Sequence, residues 1–526
     1  MVDGFAGLRL PRAPVYGKRG VVVSGHPLAS MAGLRILEDG GSVADAMIAT
    51  SAVLCAVIPH ATSLGGDAFI LYHDGKTRKT SGLNASGPAP RRATPEAFPN
   101  GMVGRGPLAA TVPGIVRGWE ELHRRHGRMG WGGLFAQAIE IAEDGHPMSR
   151  VLAGALRLFR ADIEADPGCA ALYYPGGKPR ERAEVIRQPA LAETLERIAR
   201  DGSGAFYEGP IAQSIGEASA ARGGLLAAED FAGYAPEWVE PIETGYRGLR
   251  VQVMPPNSWG ILMLLQLNAL AGLPEDVFTG EDATRLDYLI LAKQAAFAEG
   301  IPYIADPRIH PAPLADLLGA ATTARLRDAV ANRTAPKAAV GRGGTSCIAI
   351  ADGEGNGMTV VQSVFHVFGS AFLDPGTGIL LNNRMLGFST DKTHRNVVAP
   401  GKRPAHTLNP VVVLAGDGAL KYLMASPGAA AQTVTNIQIL TNLVHRGMEL
   451  SQAVEAPRWS ITQSGDPLLE EEFPDAVLAR LSSAGHAVGR AQGASQVGSA
   501  KCIERLPNGV LAGAADARRE AYACGF

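Results

Sequence analysis

The stretch Gly341-Arg342-Gly343-Gly344-Thr345-Ser346-Cys347-Ile348-Ala349-Ile350-Ala351-Asp352 constrains this chain more than any other. Its glycine-rich side reads as an exposed loop. Its apolar side reads as a buried strand that ends at the turn Asp352-Gly353-Glu354-Gly355-Asn356-Gly357. Thr345 therefore stands where a flexible segment enters a sheet. If the bond between Gly344 and Thr345 were cut, Thr345 would carry a free α-amine beside its own hydroxyl. Such an amine titrates near ~7.7–8 and is a base close to neutral pH. A threonine at a chain start, activated by its own amine, is an established nucleophile. Gly344 leaves the scissile carbonyl unshielded by a side chain. By itself the pattern is a weak signal, since Gly-Gly-Thr before a strand is usually a plain loop.

Bulk properties remove several function classes. A net charge of −2, with no Lys/Arg block, argues against a general nucleic-acid or membrane-surface binder. No stretch approaches ~20 apolar residues, so no membrane span is expected. Met1 to Gly20 has no apolar core of signal-peptide length, being interrupted by Arg9, Arg12, Lys18 and Arg19. The cysteines Cys55, Cys169, Cys347, Cys502 and Cys524 are widely spaced and form no CxxC. That usage suits a reducing compartment, and cytoplasm is expected. No metal-ligand spacing or cofactor fingerprint is present, so no cofactor is expected. The length of 526 residues suggests roughly three domains or one large α/β body.

Along the chain, Val21–Ser24 reads as a strand and His26–Glu38 as a helix. Ser42 caps a second, alanine-rich helix through Ile58. Gly65-Gly66-Asp67 breaks the pattern before strand Ala68–Tyr72, and His60 and Asp67 read as loop-organising residues. Leu83 to Pro113 reads as a long loop, and the middle of the chain as mainly helical. Tyr246–Met254 reads as one strand, and Ile261–Leu270 and Ala283–Ala298 as helices. Residues 311–344 read as a linker. After Thr345 strands dominate, at 345–351, 358–364, 378–381, 410–415 and 420–424. Helices are expected at Gln432–Arg446 and Pro474–Ala484, and the last strands at Ala500–Glu504 and Val510–Ala514.

Gly344-Thr345 is accompanied by a series of short motifs in order. These are Gly65-Gly66-Asp67, Val112-Pro113-Gly114, Tyr246-Arg247-Gly248, Met254-Pro255-Pro256, Asp306-Pro307, Gly378-Ile379-Leu380-Leu381-Asn382-Asn383, Phe388-Ser389 and Ser426-Pro427-Gly428. Together they resemble the γ-glutamyltransferase family of N-terminal nucleophile hydrolases over nearly the whole length. The resemblance implies an α+β fold, a four-layer αββα sandwich, made as an inactive precursor. It implies cleavage at Gly344–Thr345 into a large subunit, 1–344, and a small subunit, 345–526, which remain one αβ unit or pair as (αβ)₂. Thr345 would be the nucleophile and Ser363 its supporting hydroxyl. Gly428 and Ala429 would supply the backbone N–H groups of the oxyanion hole.

Departures from the pattern redirect the expected substrate. Where γ-glutamyl enzymes hold the glutamate carboxylate with an arginine after Asn-Ala, Asn84-Ala85 is followed by Ser86. The aspartate for the glutamate amine is Gly387, the strand asparagine is Phe365, the glutamine after Asn-Asn is Arg384, and the Ser-Ser pair is His406-Thr407. These replacements resemble the amidohydrolase branch, nearer to the oxamate amidohydrolase type than to the cephalosporin-type acylases. The expectation is a self-cleaving amidohydrolase acting on a small carboxylate-bearing amide through an acyl-threonine. Arg384 is the candidate for the substrate carboxylate. His406, Thr407, Phe365, Asn84 and Ser86 are candidate pocket residues, and Cys347 reads as buried and inert. His366 and the Asp516/Arg518 pair read as structural. The alternatives are a γ-glutamyl transpeptidase or glutathione hydrolase, and an uncleaved scaffold without activity.

Overall fold

The computed structural model describes residues 12–336 and 344–526. The glycines and arginine at 341–343, and the N-terminal stretch before residue 12, lie outside the described residues. In chain order the strands of the two main sheets are β1 (Val15–Gly17), β2 (Gly20–Ser24), β3 (Asp67–Asp74), β4 (Lys79–Ala85), β5 (Glu237–Val239), β6 (Ile242–Tyr246) and β7 (Leu249–Val253). They continue as β8 (Gly344–Asp352), β9 (Gly357–Phe365), β10 (Val411–Leu414), β11 (Leu420–Ala425), β12 (Lys501–Arg505), β13 (Leu511–Ala515) and β14 (Tyr522–Gly525). The helices that cover them include α1 (Pro27–Glu38), α2 (Val43–Val57), α3 (Gly260–Leu270), α4 (Asp282–Gly300) and α5 (Ala431–Arg446).

Among the described residues the strands form two seven-stranded sheets, ordered β14-β2-β8-β9-β3-β4-β5 and β1-β13-β12-β11-β10-β7-β6. Alternation along the strands decides what each sheet buries. Val21, Val23, Phe69, Leu71, Cys347, Ala349, Ala351 and Val361 face the second sheet, where Val412, Leu423 and Ile503 meet them. Their neighbours Val22, Ile70, Ile348, Ile350 and Val360 face the other way and pack on α1 and α2. Val251, Val413 and Met424 turn outward from the second sheet onto α3, α4 and α5. The result is a four-layer αββα sandwich. Each large apolar side chain taken fully out of water contributes about 1.5–3 kcal/mol, so both faces of each sheet are driven to burial.

Local chemistry sets the helix starts. Ser42 accepts the Asp45 N–H at 3.1 Å while Asp45 accepts the Ser42 N–H at 2.9 Å, a reciprocal cap that starts α2. Every residue of α2 is buried, which is why its apolar pattern has no polar face.

The chain is one αββα body, the second of the two readings its length allows and the one the family resemblance implies. Several local expectations change. The region read as a single strand at Tyr246–Met254 is the hairpin β6–β7, because Arg247 (φ 50°) and Gly248 (φ 80°) both take the left-handed conformation that a tight hairpin requires. Leu83–Ala85, read as loop, completes β4 against β3 and β5. The stretch read as linker carries a helix, Ala320–Ala331, whose Leu326 and Val330 enter the core. Asp67 is the first residue of β3 rather than part of a loop.

Gly65 joins two halves of the site region. It bridges to Leu381, and its carbonyl accepts the Asn382 N–H at 3.0 Å. A Cβ there would lie 2.3 Å from the Leu380 carbonyl oxygen and 2.9 Å from the Leu381 Cα, both backbone. Gly65→Ala is therefore expected to destabilise the protein by about 1–3 kcal/mol, read as a lower denaturation midpoint in urea.

Candidate functional site

The site lies where β8 begins and β9 ends. The two strands pair antiparallel, with Ala349 opposite Thr359 and Ser346 opposite Gln362, and the register then shifts so that Gly344 pairs with Phe365. The extra residue on β9 is a bulge, which re-aims the neighbouring side chains. It brings the Ser363 hydroxyl within 2.5 Å of the Gly344 carbonyl oxygen, to which it donates. The Thr345 hydroxyl donates to the same oxygen at 2.7 Å and lies 3.4 Å from Ser363 Oγ. The Phe365 N–H donates to Ser363 Oγ at 2.7 Å, which points the serine proton at Gly344. Two hydroxyls thus polarise one carbonyl, in a site where Thr345 and Ser363 are both buried.

The loop after β11 carries Gly428 and Ala429. β11 packs over β8 and β9, and the Thr359 hydroxyl donates to the Met424 carbonyl at 3.3 Å. A Cβ at Gly357 would touch Leu420 and Leu423. β11 therefore advances toward the same end of the sandwich as Ser363, and residues 426–430 leave it there. Gly428 has φ 133° and Ala429 φ 49°. An alanine in the left-handed region costs of order 1 kcal/mol or more, and such outliers cluster at functional sites. Among the described residues, neither N–H has a hydrogen-bond acceptor. Both carbonyls accept, from the N–H groups of Ala431 and Gln432, as α5 begins.

On the β3 side of Ser363 lies a fully buried charged cluster. Ser363 pairs in register with Asp67. Asp67 Oδ1 accepts the Gly87 N–H at 2.8 Å, and Oδ2 lies 3.3 Å from His406 Nε2 and 3.7 Å from Arg384 Nε. The Arg384 guanidinium stacks on Phe365, 4.1 Å from the ring centroid. All three of its nitrogens lack a hydrogen-bond partner among the described residues, although the side chain is 0% exposed. A buried, unsatisfied guanidinium is costly, and a planar anion is the group that satisfies it. Burial lowers Arg384 to about 10, partly opposed by Asp67. Burial also raises Asp67 to about 7 against the pull of Arg384. His406 is held well below its ordinary value by burial and by Arg384, so its ring is neutral. Nε2 shares a hydrogen with Asp67 Oδ2, and Nδ1 has no partner among the described residues.

Asparagines position this cluster. Asn382 Oδ1 accepts the Arg384 N–H at 2.9 Å and the Thr111 N–H at 3.0 Å, while its amide nitrogen donates to Gly65 O at 2.9 Å. Asn257 donates to the Pro404 carbonyl at 2.7 Å, and its own carbonyl accepts the His406 N–H at 2.8 Å. Asn84 Nδ2 donates to Asn257 Oδ1 at 2.8 Å, and Ser86 Oγ donates to Asn84 Oδ1 at 2.6 Å. Asn84 and Ser86 are thus committed to each other and to Asn257. Thr407 is buried beside His406, with its hydroxyl unpartnered among the described residues. Cys347 is buried and its thiol is pushed up to about 12 by burial. Asp516 pairs with Arg458 and Arg518 away from this cluster.

The structure thus brings Thr345, Ser363, Phe365, Arg384 and His406 to one end of the inter-sheet layer. Sequence reasoning missed Asp67 as the hub of the charged cluster, and Asn257 as the support of His406. The signal for Asp67 was present, an acid opening an otherwise apolar buried strand.

Raising a carboxyl above its unfolded value near ~3.9 means that the folded state holds the proton more tightly. Stability from Asp67 is therefore present at low pH and is lost as pH rises through about 7. The expected outcome is that Asp67→Asn flattens the fall in Tm between pH 5 and pH 8 that the native protein shows.

Comparison with known proteins adds independent findings. The Gamma-glutamyltranspeptidase family profile matches residues 29–526. The glutathione hydrolase-like YwrD proenzyme of Bacillus subtilis is 34% identical, covering 97% of this chain and 99% of that protein. The oxamate amidohydrolase proenzyme of Klebsiella pneumoniae is 33% identical, covering 96% of this chain and 98% of that protein. The crystal structure of cephalosporin acylase from Bacillus halodurans superposes with a TM-score of 0.91 at 32% identity, covering 100% of this chain and 99% of that one.

Proposed function

The chain belongs to the gamma-glutamyltranspeptidase family of N-terminal nucleophile hydrolases, enzymes that act on amide bonds, and from that premise we propose that it is a self-cleaving amidohydrolase with Thr345 as nucleophile. The observation that carries the reading is the Gly344 carbonyl, engaged by the hydroxyls of both Thr345 and Ser363. In the precursor, Thr345 Oγ attacks the Gly344 carbonyl carbon. The developing oxyanion is stabilised by the Ser363 hydroxyl. The C–N bond breaks, the hydroxyl proton passes to the departing α-nitrogen, and water hydrolyses the resulting ester. The products are a 1–344 subunit ending in a carboxylate and a 345–526 subunit starting with a free threonine, which stay together as one heterodimeric αββα body.

In turnover the same hydroxyl attacks a substrate amide, and the Thr345 α-amine takes its proton. The N–H groups of Gly428 and Ala429 hold the oxyanion. The leaving amine takes up a proton, and water releases the acid from Thr345. Arg384 takes a carboxylate of the acyl part through parallel N–H donors, which its three orphaned nitrogens support. His406 Nδ1 accepts from the substrate amide, and Phe365 and Thr407 line the pocket. Asn84 and Ser86 act one step back, through Asn257. A small oxamate-like amide acid is the substrate class. The free thiols of Cys55, Cys169, Cys347, Cys502 and Cys524 suit a cytoplasmic setting. Glutathione-type transfer is disfavoured by Gly387, which offers no carboxylate to a glutamyl amine.

Thr345→Ala is expected to leave one uncleaved chain and no amidase activity. Denaturing gels and intact mass check this, and an active, uncleaved Thr345→Ala protein would overturn it. Arg384→Met is expected to lower kcat/KM for oxamate by about 10- to 100-fold, mostly through KM, as loss of a charge-assisted pair implies. Rapid turnover of a γ-glutamyl anilide with glycylglycine would favour the transpeptidase reading instead.

A further inference from the structure

Asp67 stands beside the guanidinium that would receive a substrate carboxylate. It opens β3 in register with Ser363, and Asp67 and Arg384 are both 0% exposed. Asp67 Oδ1 is committed to the Gly87 N–H at 2.8 Å. Glycine is what brings that N–H so close, because a Cβ on residue 87 would lie 1.6 Å from the Val112 carbonyl oxygen. Asp67 Oδ2 lies 3.3 Å from His406 Nε2 and 3.7 Å from Arg384 Nε. The second separation is an ion pair without a hydrogen bond, so the donors of Arg384 stay open among the described residues.

Other charged and titratable groups around Asp67 are committed elsewhere or neutral. His406 is neutral. Arg403, on the same segment, pairs with Glu237 at 2.5 Å and donates to the Ala235 carbonyl at 2.8 Å. Asp306 accepts the Arg403 N–H at 2.8 Å and pairs with Arg308 at 2.6 Å. Tyr207 and Tyr234 are raised by burial, stay neutral and donate to the Pro113 and Gly114 carbonyls. Arg117, beyond Tyr207, pairs with Glu208. On β9 and β4, Ser363, Phe365 and Asn84 carry no charge. One cation, Arg384, and one titratable carboxyl group, Asp67, are left to meet a ligand.

A carboxylate arriving on Arg384 would set two carboxyl groups against one guanidinium in a layer buried from water. Two carboxyl groups sharing such a site do not both ionise, and one keeps a proton. Burial has raised Asp67 to about 7 before any anion arrives. A carboxyl next to an amide carbonyl is a far stronger acid, so the proton goes to Asp67.

We propose that Asp67 selects the charge of the ligand: a monoanion seats on Arg384 together with one proton, taken from solvent onto the Asp67 carboxylate, so that the Arg384–carboxylate pair stands beside a neutral carboxyl group. The proposal rests on the amidohydrolase reading above and adds to it the residue that couples carboxylate binding to pH. Anion affinity is full below the pH at which free Asp67 titrates and falls as pH rises through it. A neutral ligand gains nothing from that proton.

The test is competitive inhibition of oxamate hydrolysis by propionate, a monoanion from pH 6 to pH 8.5, and by propionamide, its neutral counterpart. In the native, cleaved protein the Ki of propionate is expected to rise about tenfold over that range while that of propionamide stays flat. Asp67→Asn, which keeps an acceptor for the Gly87 N–H, is expected to remove most of the rise and to bind propionate about tenfold more tightly than native at pH 8.5. A flat propionate Ki in the native protein overturns the proposal. So does an Asp67→Asn protein that keeps the native rise, since the titrating group is then the Thr345 α-amine. If Asp67→Asn does not fold or cleave, infrared difference spectra of the native protein at pH 8 decide. Adding 13C-labelled propionate is expected to produce the carbonyl band of a protonated, unlabelled carboxyl group, and its absence overturns the proposal. Failure of the underlying reading looks different, as no hydrolysis of oxamate, or as propionate binding to Arg384→Met as it does to native.

Discussion

The antiparallel pairing of Gly344–Asp352 with Gly357–Phe365 is the constraint from which the site follows. Regular pairing along most of its length fixes which side chains face the second sheet, through the period of two. The shift at its open end then supplies one extra residue on the second strand. That residue turns the Ser363 hydroxyl toward a carbonyl in the neighbouring strand. Without the bulge, the same two strands would present an ordinary hydrophobic ladder. With it, a peptide bond is placed between two hydroxyls inside a dry layer, where hydrogen bonds are stronger than in water.

Charge at that end of the sandwich is arranged around Thr345 without being neutralised locally. Among the described residues the Arg384 guanidinium has only Asp67 within ion-pair reach, at 3.7 Å, and makes no hydrogen bond. Folding tolerates such a group because neutral amides fix its surroundings. Asn382 clamps the backbone of Arg384 to Gly65 and Thr111. Asn257 clamps the backbone of His406 to the region of Asn84 and Ser86. An asparagine both donates and accepts, so it can satisfy two backbone partners without adding charge. The cation is thereby held in place while its donors stay open.

The two apolar cores on the outer faces carry the stability that this arrangement consumes. α2 and α3 are buried on every side, each between a sheet and further helices. Rigid layers on both sides also keep the start of β8 from relaxing away from Ser363. Precision at a site depends on such support more than on the reacting groups themselves.

Much of this was legible in the residues. The Gly-Gly-Thr before an apolar run located the start of β8, and the ordered short motifs identified the family and hence the αββα layers. Helix α2 followed from Ser42 and Asp45, because capping is local. What the residues did not reveal was decided by contacts between distant segments. The Arg247-Gly248 hairpin was missed because arginine rarely takes a positive φ, and only pairing with a neighbouring strand enforces it. Asp67 read as a loop residue because its partners, Arg384 and His406, lie more than 300 positions away along the chain. The bulge that aims Ser363 has no residue signature, since register is set by the neighbouring strand. Sequence alone determined the family to which the chain belongs and where it begins many of its strands. Tertiary structure decided which charges meet in the buried layer, because burial and pairing across sheets are properties of the assembled body.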